Sequence, residues 1–230
     1  MQLTTLRAAP ERQAEVPPCV SVGQTGGGTA SQLIRSVGQT KKVDPMTISP
    51  CLLLIDVQRG FDEPKWGRRN NATAEANIAR LLEVWRRLGR PIVHVRHHST
   101  EPLSPLRPAQ PGAAFKPEAE PEPGEPVYTK SVNSAFIGTT LDADLRARDI
   151  GKLVIAGITT DHCVSTTARM AGNLGYRVWV AADACATFER RDHTGRTLTA
   201  ETVHQAALAS LHGEFATVAD TNVLIAADLS

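Results

Sequence analysis

From residue 51 onward, apolar runs that suit buried strands alternate with segments whose apolar residues recur at helical spacing. Continuous apolar runs are typical of strands that are covered on both faces, and Leu153–Ile158 is the clearest example. Short polar segments separate the runs. The pattern predicts six strands, at Cys51–Val57, Pro91–His97, Val127–Lys130, Leu153–Ile158, Arg177–Ala182 and Ala216–Ala219.

Helices are predicted between these strands. The first is capped by Asn70 or Asn71 and ends at Gly89. Strands that are separated by helices require right-handed crossovers, which produce a parallel sheet with helices on both faces. The sequence therefore predicts a three-layer α/β/α domain with a roughly six-stranded, mainly parallel sheet. The remaining predicted helices cover Leu141–Arg148, Cys163–Asn173, Ala200–His212 and Val223–Ala227.

Two segments lack this alternation. Met1–Pro50 is rich in Gly, Gln, Ser, Thr and Pro and shows no sustained period. We predict a disordered N-terminal extension over residues 1–46, followed by one folded domain over residues 47–230. The second segment, Glu101–Pro126, is rich in proline and too long for a simple connector, so we expect a functional loop or a cover.

The composition narrows the classes of function. The 230 residues include 25 Lys+Arg and 24 Asp+Glu, and only 4% are aromatic, so neither charge nor base stacking indicates a nucleic-acid partner. No apolar run is long enough to cross a membrane, and no secretory signal is evident. The four cysteines lack the spacing of zinc ligands, which favours reduced thiols in the cytoplasm.

Three polar residues follow the ends of predicted parallel strands. Asp56, Lys130 and Cys163 would therefore meet at one edge of the sheet, where such folds bind ligands. A thiol in the first turn of a helix is expected to have a lowered pKa, which favours the nucleophilic thiolate. Asp56 would transfer the thiol proton, and Lys130 would stabilise both negative charges. The structural alternatives are a packing cysteine, a turn aspartate and a solvated lysine.

Three segments resemble the isochorismatase-like cysteine hydrolases, a family that includes nicotinamidases and N-carbamoylsarcosine amidases. The resemblance implies a Rossmann-like fold and a catalytic triad of Asp56, Lys130 and Cys163. It also implies a cis peptide between Ile158 and Thr159, with an oxyanion hole formed by the backbone N–H groups of Thr159 and Cys163. The segments are LLLIDVQRGF (Leu52–Phe61), TKSVNSAF (Thr129–Phe136) and VIAGITTDHCVSTTARMA (Val154–Ala171).

By this resemblance, the chain would be a cysteine-dependent amidohydrolase that cleaves a C–N bond of a small amide, ureide or carbamoyl compound through a thioester. True isochorismatases cleave a vinyl ether and lack the nucleophilic cysteine. The metal-binding nicotinamidases carry an Asp-x-His element after the second strand, whereas this chain has the adjacent His97 and His98. We therefore predict that the enzyme works without a metal or other cofactor.

Other residues are weaker candidates. Phe61 and Trp66 are predicted to form an apolar wall for the substrate, with Asn133 and Phe136 as further contacts; the alternative is that these residues only pack or shape turns. Asp161 is expected to cap the helix that contains Cys163.

Two other functions remain open at this point: a vinyl-ether hydrolase that uses Asp56 as an acid, and a non-catalytic interaction protein on the same fold. The resemblance also implies a homo-oligomer, a dimer or tetramer.

Overall fold

The computed structural model describes residues 49–227, so the extension predicted for residues 1–46 lies outside the described residues. Six parallel strands form one sheet in the order β3-β2-β1-β4-β5-β8, and β6 and β7 form a separate antiparallel pair. The strands are β1 Cys51–Ile55, β2 Ile92–His97, β3 Val127–Lys130, β4 Lys152–Ile158, β5 Arg177–Ala186, β6 Arg190–Arg191, β7 Thr197–Leu198 and β8 Thr217–Ala219.

Helices cover both faces of the sheet, which confirms the predicted three-layer α/β/α architecture. One face packs against α1 and α5, through residues such as Trp85 and Leu224. The other packs against α2, α3 and α4, through residues such as Leu141, Ala168 and Leu208. The helices are α1 Ala74–Arg87, α2 Leu141–Ala147, α3 Ser165–Asn173, α4 Ala200–Leu211 and α5 Thr221–Ala226.

The central strands β1 and β4 explain why the sequence folds in this way. Every residue of both strands is buried. Each strand lies between two neighbouring strands, and the sheet lies between two layers of helices. They pair in parallel, with Leu53 opposite Ile155. Burying one such side chain contributes about 1.5–3 kcal/mol, so the continuous apolar runs stabilise the middle of the sheet.

The predicted cap of the first helix is wrong. The helix α1 begins at Ala74, after Thr73, and neither asparagine caps it. The Asn71 amide instead donates hydrogen bonds to the carbonyl oxygens of Ala182 and Cys185, at 3.2 and 2.7 Å. Asn71 therefore ties the segment before α1 to the end of β5.

The strand β5 is four residues longer than the predicted Arg177–Ala182, because it continues to Ala186 past a shift in register against β4. The shift lies next to Gly157, whose φ of +137° is open mainly to glycine. A Cβ at this position would lie 2.0 Å from the carbonyl oxygen of Ile55. Glycine is required here, immediately before the turn that carries Cys163.

The proline-rich segment, residues 101–126, forms a cover that is anchored by a few buried residues, while most of its side chains are exposed. The buried Gln58 side chain donates to the carbonyl oxygens of Ala113 and His97, at 2.9 and 3.2 Å. The Lys116 ammonium donates to Asp62 and Glu75. The bonds to Ala113 and Asp62 hold the cover against the segment that follows β1, and the bond to Glu75 holds it against α1.

Within residues 49–227, no helix combines the length and the hydropathy that crossing a bilayer requires.

Candidate active site

The candidate site lies at the carboxyl ends of the strands, where the chain reverses its direction of travel across the sheet. The strands β1, β2 and β3 are added outward in one direction, and β4 returns to the other side of β1. Ligands bind at such switch points in parallel sheets. Asp56 follows β1, Cys163 follows β4 by a short turn, and Lys130 ends β3.

Lys130 is the centre of a buried polar group that we call the Lys130 cluster: Asp56, His97, Lys130 and Cys163. The Lys130 Nζ atom donates to Asp56 Oδ2 at 2.6 Å, to Cys163 Sγ at 3.2 Å and to His97 Nδ1 at 3.2 Å. An ammonium has three N–H donors, so each one is matched to an acceptor. The side chains of Lys130 and Asp56 are both 0% exposed.

Asp56 is unusual in its pKa, its hydrogen bonding and its backbone conformation. Burial raises the pKa of its carboxyl group, although the charge of Lys130 and the hydrogen bond from Lys130 act in the opposite direction. The second oxygen, Oδ1, is buried and has no hydrogen-bond partner among the described residues. The residue also has a φ of +53°, in the left-handed region. A carboxylate that has a raised pKa and one oxygen without a hydrogen bond is suited to accept a proton.

The Cys163 thiol is protonated at neutral pH, which corrects the expectation from the sequence. Burial and then the negative charge of Asp56 raise its pKa to about 12, and the charge of Lys130 only partly opposes them. The predicted helix start is also absent at this residue, because Cys163 lies in a wide turn over Thr160–Val164 and α3 begins at Ser165. The structure therefore places a neutral thiol beside a base.

His97 belongs to the Lys130 cluster, whereas the sequence alone suggests this residue only as a possible metal ligand. Burial, and then the charge of Lys130, lower its pKa to about 4, so the ring is neutral and Nδ1 accepts the ammonium proton. The donor atoms of Asp56, His97 and Cys163 lie within 4.8 Å of one another, a set that would suit a metal such as zinc. The Lys130 ammonium already bonds to all three and supplies the positive charge.

A cavity of about 150 Å³ opens beside the cluster. Three of the predicted substrate contacts, Phe61, Trp66 and Asn133, line it. The rings of Phe61 and Trp66 lie 5.2 Å apart and form an apolar wall. The fourth, Phe136, does not line this cavity, because its ring stacks on Tyr176 at 5.7 Å and packs against the core.

Thr159, which directly precedes the turn that contains Cys163, also lines the cavity. The peptide bond between Ile158 and Thr159 is cis. The Thr159 carbonyl accepts hydrogen bonds from the N–H groups of His162 and Val164, at 3.3 and 3.2 Å. These bonds close the turn and hold Thr159 and Cys163 on the same side of the cavity.

Asp161 does not cap the helix, contrary to the expectation. Its carboxylate accepts a hydrogen bond from the Thr187 hydroxyl and pairs with Arg190, whose Nε donates to Oδ2 at 2.9 Å. His162 lies at the mouth of the cavity, with its side chain 55% exposed and its Nε2 3.4 Å from Asp161. Neither residue is part of the Lys130 cluster.

The structure adds cavity residues that sequence reasoning missed. Leu106 comes from the proline-rich cover, and Arg190 comes from β6. A second recess of about 500 Å³ adjoins the cavity and shares Trp66, His97 and Leu106 with it. The sequence signal for Leu106 was only the unusual length of its loop, and Arg190 had no signal of its own.

A family model described as the isochorismatase domain matches residues 50–223, which is most of the chain. An uncharacterized isochorismatase family protein, YrdC of Bacillus subtilis, is 46% identical over 174 residues. That alignment covers 76% of this chain and 93% of the relative.

Solved structures agree with this assignment. A crystal structure from Chromobacterium violaceum, described as a hydrolase of the isochorismatase family, is 51% identical with a TM-score of 0.75, and the match covers 77% of this chain and 92% of that one. The N-carbamoylsarcosine amidase of Thermoplasma acidophilum is 26% identical with a TM-score of 0.60. That match covers 76% of this chain and 98% of the amidase.

Proposed function

Because the chain belongs to the isochorismatase family of hydrolases, we propose that it is a cysteine amidohydrolase acting on a C–N bond of a small amide, ureide or carbamoyl compound. Cys163 is the nucleophile, Asp56 transfers protons, and Lys130 stabilises the negative charges. The observation that carries the proposal is the vacant Oδ1 of Asp56 beside the protonated Cys163 thiol.

In the first step, the Cys163 sulfur attacks the carbonyl carbon of the substrate. The thiol proton moves to Asp56 Oδ1 as the carbon–sulfur bond forms, so a stable thiolate is not needed beforehand. This coupling fits the direction of both pKa shifts, because burial disfavours the ionised forms of Cys163 and of Asp56. Lys130, which bonds to both residues, stabilises the charge as it passes from one to the other.

The attack produces a negatively charged carbonyl oxygen. We assign its stabilisation to the backbone N–H groups of Thr159 and Cys163, two residues that line the cavity. A single donor of this kind is worth about 10²–10³ in rate. When the C–N bond breaks, Asp56 returns its proton to the departing nitrogen, and ammonia or an amine leaves. A water molecule then gives a proton to Asp56 and attacks the thioester carbonyl carbon; the C–S bond breaks, the proton passes from Asp56 to the Cys163 sulfur, and the acid leaves.

Two alternatives are less well supported. Vinyl-ether hydrolysis would require no nucleophilic thiol, yet Sγ of Cys163 lies 3.2 Å from Lys130 Nζ in the centre of the cluster. A non-catalytic interaction protein would have no need for a charged pair that is 0% exposed beside a cavity.

The test is turnover of a panel of small amides and ureides by the wild-type protein and by Cys163→Ala, followed as release of ammonia or amine. We expect the variant to lose activity by at least about 10³-fold, because no other residue forms the thioester. Mass spectrometry of the wild-type protein during turnover should detect an acyl group on Cys163.

Cys185→Ala is the matched control, because Cys185 is also buried but lies outside the Lys130 cluster. It should retain activity within a few fold. Turnover that persists in Cys163→Ala would refute the mechanism, and pyruvate release from isochorismate without any amide hydrolysis would support the vinyl-ether alternative.

A further inference from the structure

Arg190 is a cavity residue that the proposed mechanism does not use. It lies on the short strand β6, and its guanidinium is fixed on one edge by Asp161. Nε donates to Asp161 Oδ2 at 2.9 Å, and Nη2 donates to Oδ1 at 3.4 Å. The Thr187 hydroxyl donates to the same carboxylate, so Asp161 is itself held in place.

This arrangement leaves one nitrogen of Arg190 available. Among the described residues, Nη1 makes no hydrogen bond, while the opposite edge of the planar guanidinium is bound to Asp161. The Arg190 side chain is 27% exposed and that of Asp161 is 13% exposed, so the pair is neither fully buried nor fully solvated. A planar guanidinium that is bound on one edge presents its remaining N–H donors, including both of Nη1, in a defined direction.

The charges around the cavity decide what this donor can recognise. Asp56 is paired with Lys130, and Asp161 is paired with Arg190. His97 is neutral, because burial and Lys130 lower its pKa to about 4. Among the described residues that line the cavity, no positive charge within the walls is uncompensated. His162 lies at the exposed mouth, where solvent screens its interactions.

A substrate carboxylate would be disfavoured in this setting. It would meet two ion pairs that already compensate each other, Asp161 with Arg190 and Asp56 with Lys130, so no unpaired cation would balance its charge. Its loss of hydration would then lack a full counter-charge. An uncharged carbonyl oxygen loses less hydration on entering the cavity and still accepts a hydrogen bond from Nη1.

We propose that Arg190, oriented by Asp161, is a specificity-determining residue that binds a second, uncharged carbonyl group of the substrate, which selects neutral diamides or ureides over amides that carry a carboxylate. This inference deepens the proposed function and rests on it for the reaction. Arg190 and Cys163 both line the cavity of about 150 Å³, so one small molecule can contact both residues.

The experiment measures binding to the Cys163→Ala protein by calorimetry, so that it does not depend on turnover. The ligands are three matched pairs that differ only in one end group: oxamide and oxamate, malonamide and malonamate, succinamide and succinamate. We expect at least one diamide to bind about 10-fold or more tightly than its carboxylate partner. Adding Arg190→Gln should weaken that diamide by about 10-fold, the effect of losing one hydrogen bond from a charged donor.

Adding Asp161→Asn to Cys163→Ala should reverse the preference, because it removes the carboxylate that neutralises Arg190. The matched control is Arg196→Gln, an arginine that pairs with Asp192 at 3.2 Å in the turn between β6 and β7 and does not line the cavity. It should leave the binding of all six compounds unchanged. Circular dichroism of each variant verifies that it is folded.

Carboxylates that bind as tightly as their diamides, binding that is unaffected by Arg190→Gln, or no binding of any diamide would overturn the inference. Its failure is distinguishable from that of the proposed function. If amide hydrolysis requires Cys163 but is unchanged by Arg190→Gln, only the specificity role of Arg190 is refuted. If diamides bind in a way that depends on Arg190 but the wild-type protein hydrolyses none of them, the binding site is supported and the proposed reaction is refuted.

Discussion

Two buried lysines in this molecule form short ion pairs with carboxylates, yet they differ in every feature that matters for chemistry. Lys130 bonds to Asp56 inside the candidate site, and Lys116, a residue of the proline-rich cover, bonds to Asp62 and Glu75. The pKa of Asp56 is raised by burial. That of Glu75 is lowered to about 2, because hydrogen bonds and charges from Arg69 and Lys116 outweigh its burial.

The comparison shows that a buried ion pair alone does not identify a catalytic residue. Both Glu75 oxygens are bonded to Arg69, and one of them also bonds to Lys116. That carboxylate is fully satisfied and stays ionised. Asp56 keeps one oxygen vacant beside a thiol, so its proton occupancy can change during a reaction. The vacant oxygen and the raised pKa, more than the short distance, mark the functional pair.

The largest contrast is expected between Lys130→Met and Lys116→Met in an amide turnover assay. Lys130→Met should lower kcat/KM by at least about 10³-fold, because it removes the cation that stabilises the negative charge shared by Asp56 and Cys163. Lys116→Met should keep kcat/KM within about 3-fold, because Lys116 does not line the cavity of about 150 Å³. Equal losses in both variants would show that the two pairs do not differ in function.

A double variant separates stability from chemistry at the first pair. Lys130→Met alone leaves a buried carboxylate without its partner, which costs about 3–5 kcal/mol in the free energy of unfolding. Adding Asp56→Asn should recover most of that loss, since asparagine is neutral and tolerates the left-handed φ of +53°. Activity should stay absent. Urea unfolding at pH 7 measures the recovery, and a double variant less stable than Lys130→Met would contradict this account.

The second pair should affect stability without affecting turnover. Lys116→Met is expected to lower the free energy of unfolding by about 2–3 kcal/mol, less than Lys130→Met, because Glu75 keeps its two bonds to Arg69. Urea unfolding of the two lysine variants side by side gives the comparison. A larger loss for Lys116→Met would mean that the cover, rather than the site, depends most on its buried charge.

The smallest effect concerns pH. The folded-state pKa of Glu75 is about 2, below its ordinary value of 4.5, so its contribution to stability is present above pH 4.5 and disappears as the pH falls towards 2. Glu75→Gln should therefore destabilise the protein at pH 7 by about 1–2 kcal/mol, and progressively less below pH 4.5. The exposed Glu118 provides the control, as Glu118→Gln. A difference that grows on acidification would reverse the assigned sign.

Most of the fold followed from periodicity, because strands buried on both faces leave a clear apolar signature. Leu153–Ile158 was predicted almost to the residue, and the observed strand begins only one residue earlier. The errors fall where tertiary contacts override local signals. Asn71 looks like a cap but bonds to the end of β5, and β5 extends past a register shift that no local pattern encodes.

The site was predictable only in part. The three residues that follow strand ends were found, because topology alone brings them to one edge of the sheet. His97 and Arg190 were missed as site residues, because their places depend on side-chain contacts across the sheet and on a short pair of strands after β5. The pKa of Cys163 was predicted in the wrong direction, since burial and the charge of Asp56 raise it and α3 begins only at Ser165.

The close contact between Gly60 and Gly112, where the cover meets the segment after β1, bears on how this enzyme can acquire new substrates in evolution. A Cβ at Gly112 would lie 2.5 Å from the Pro105 carbonyl oxygen and 2.8 Å from the Gly60 Cα, so Gly112 accepts no side chain unless the two backbones separate. Trp66 and Leu106 line both cavities and can change in size while the glycines stay. Diverging lineages should therefore vary at these two side chains first.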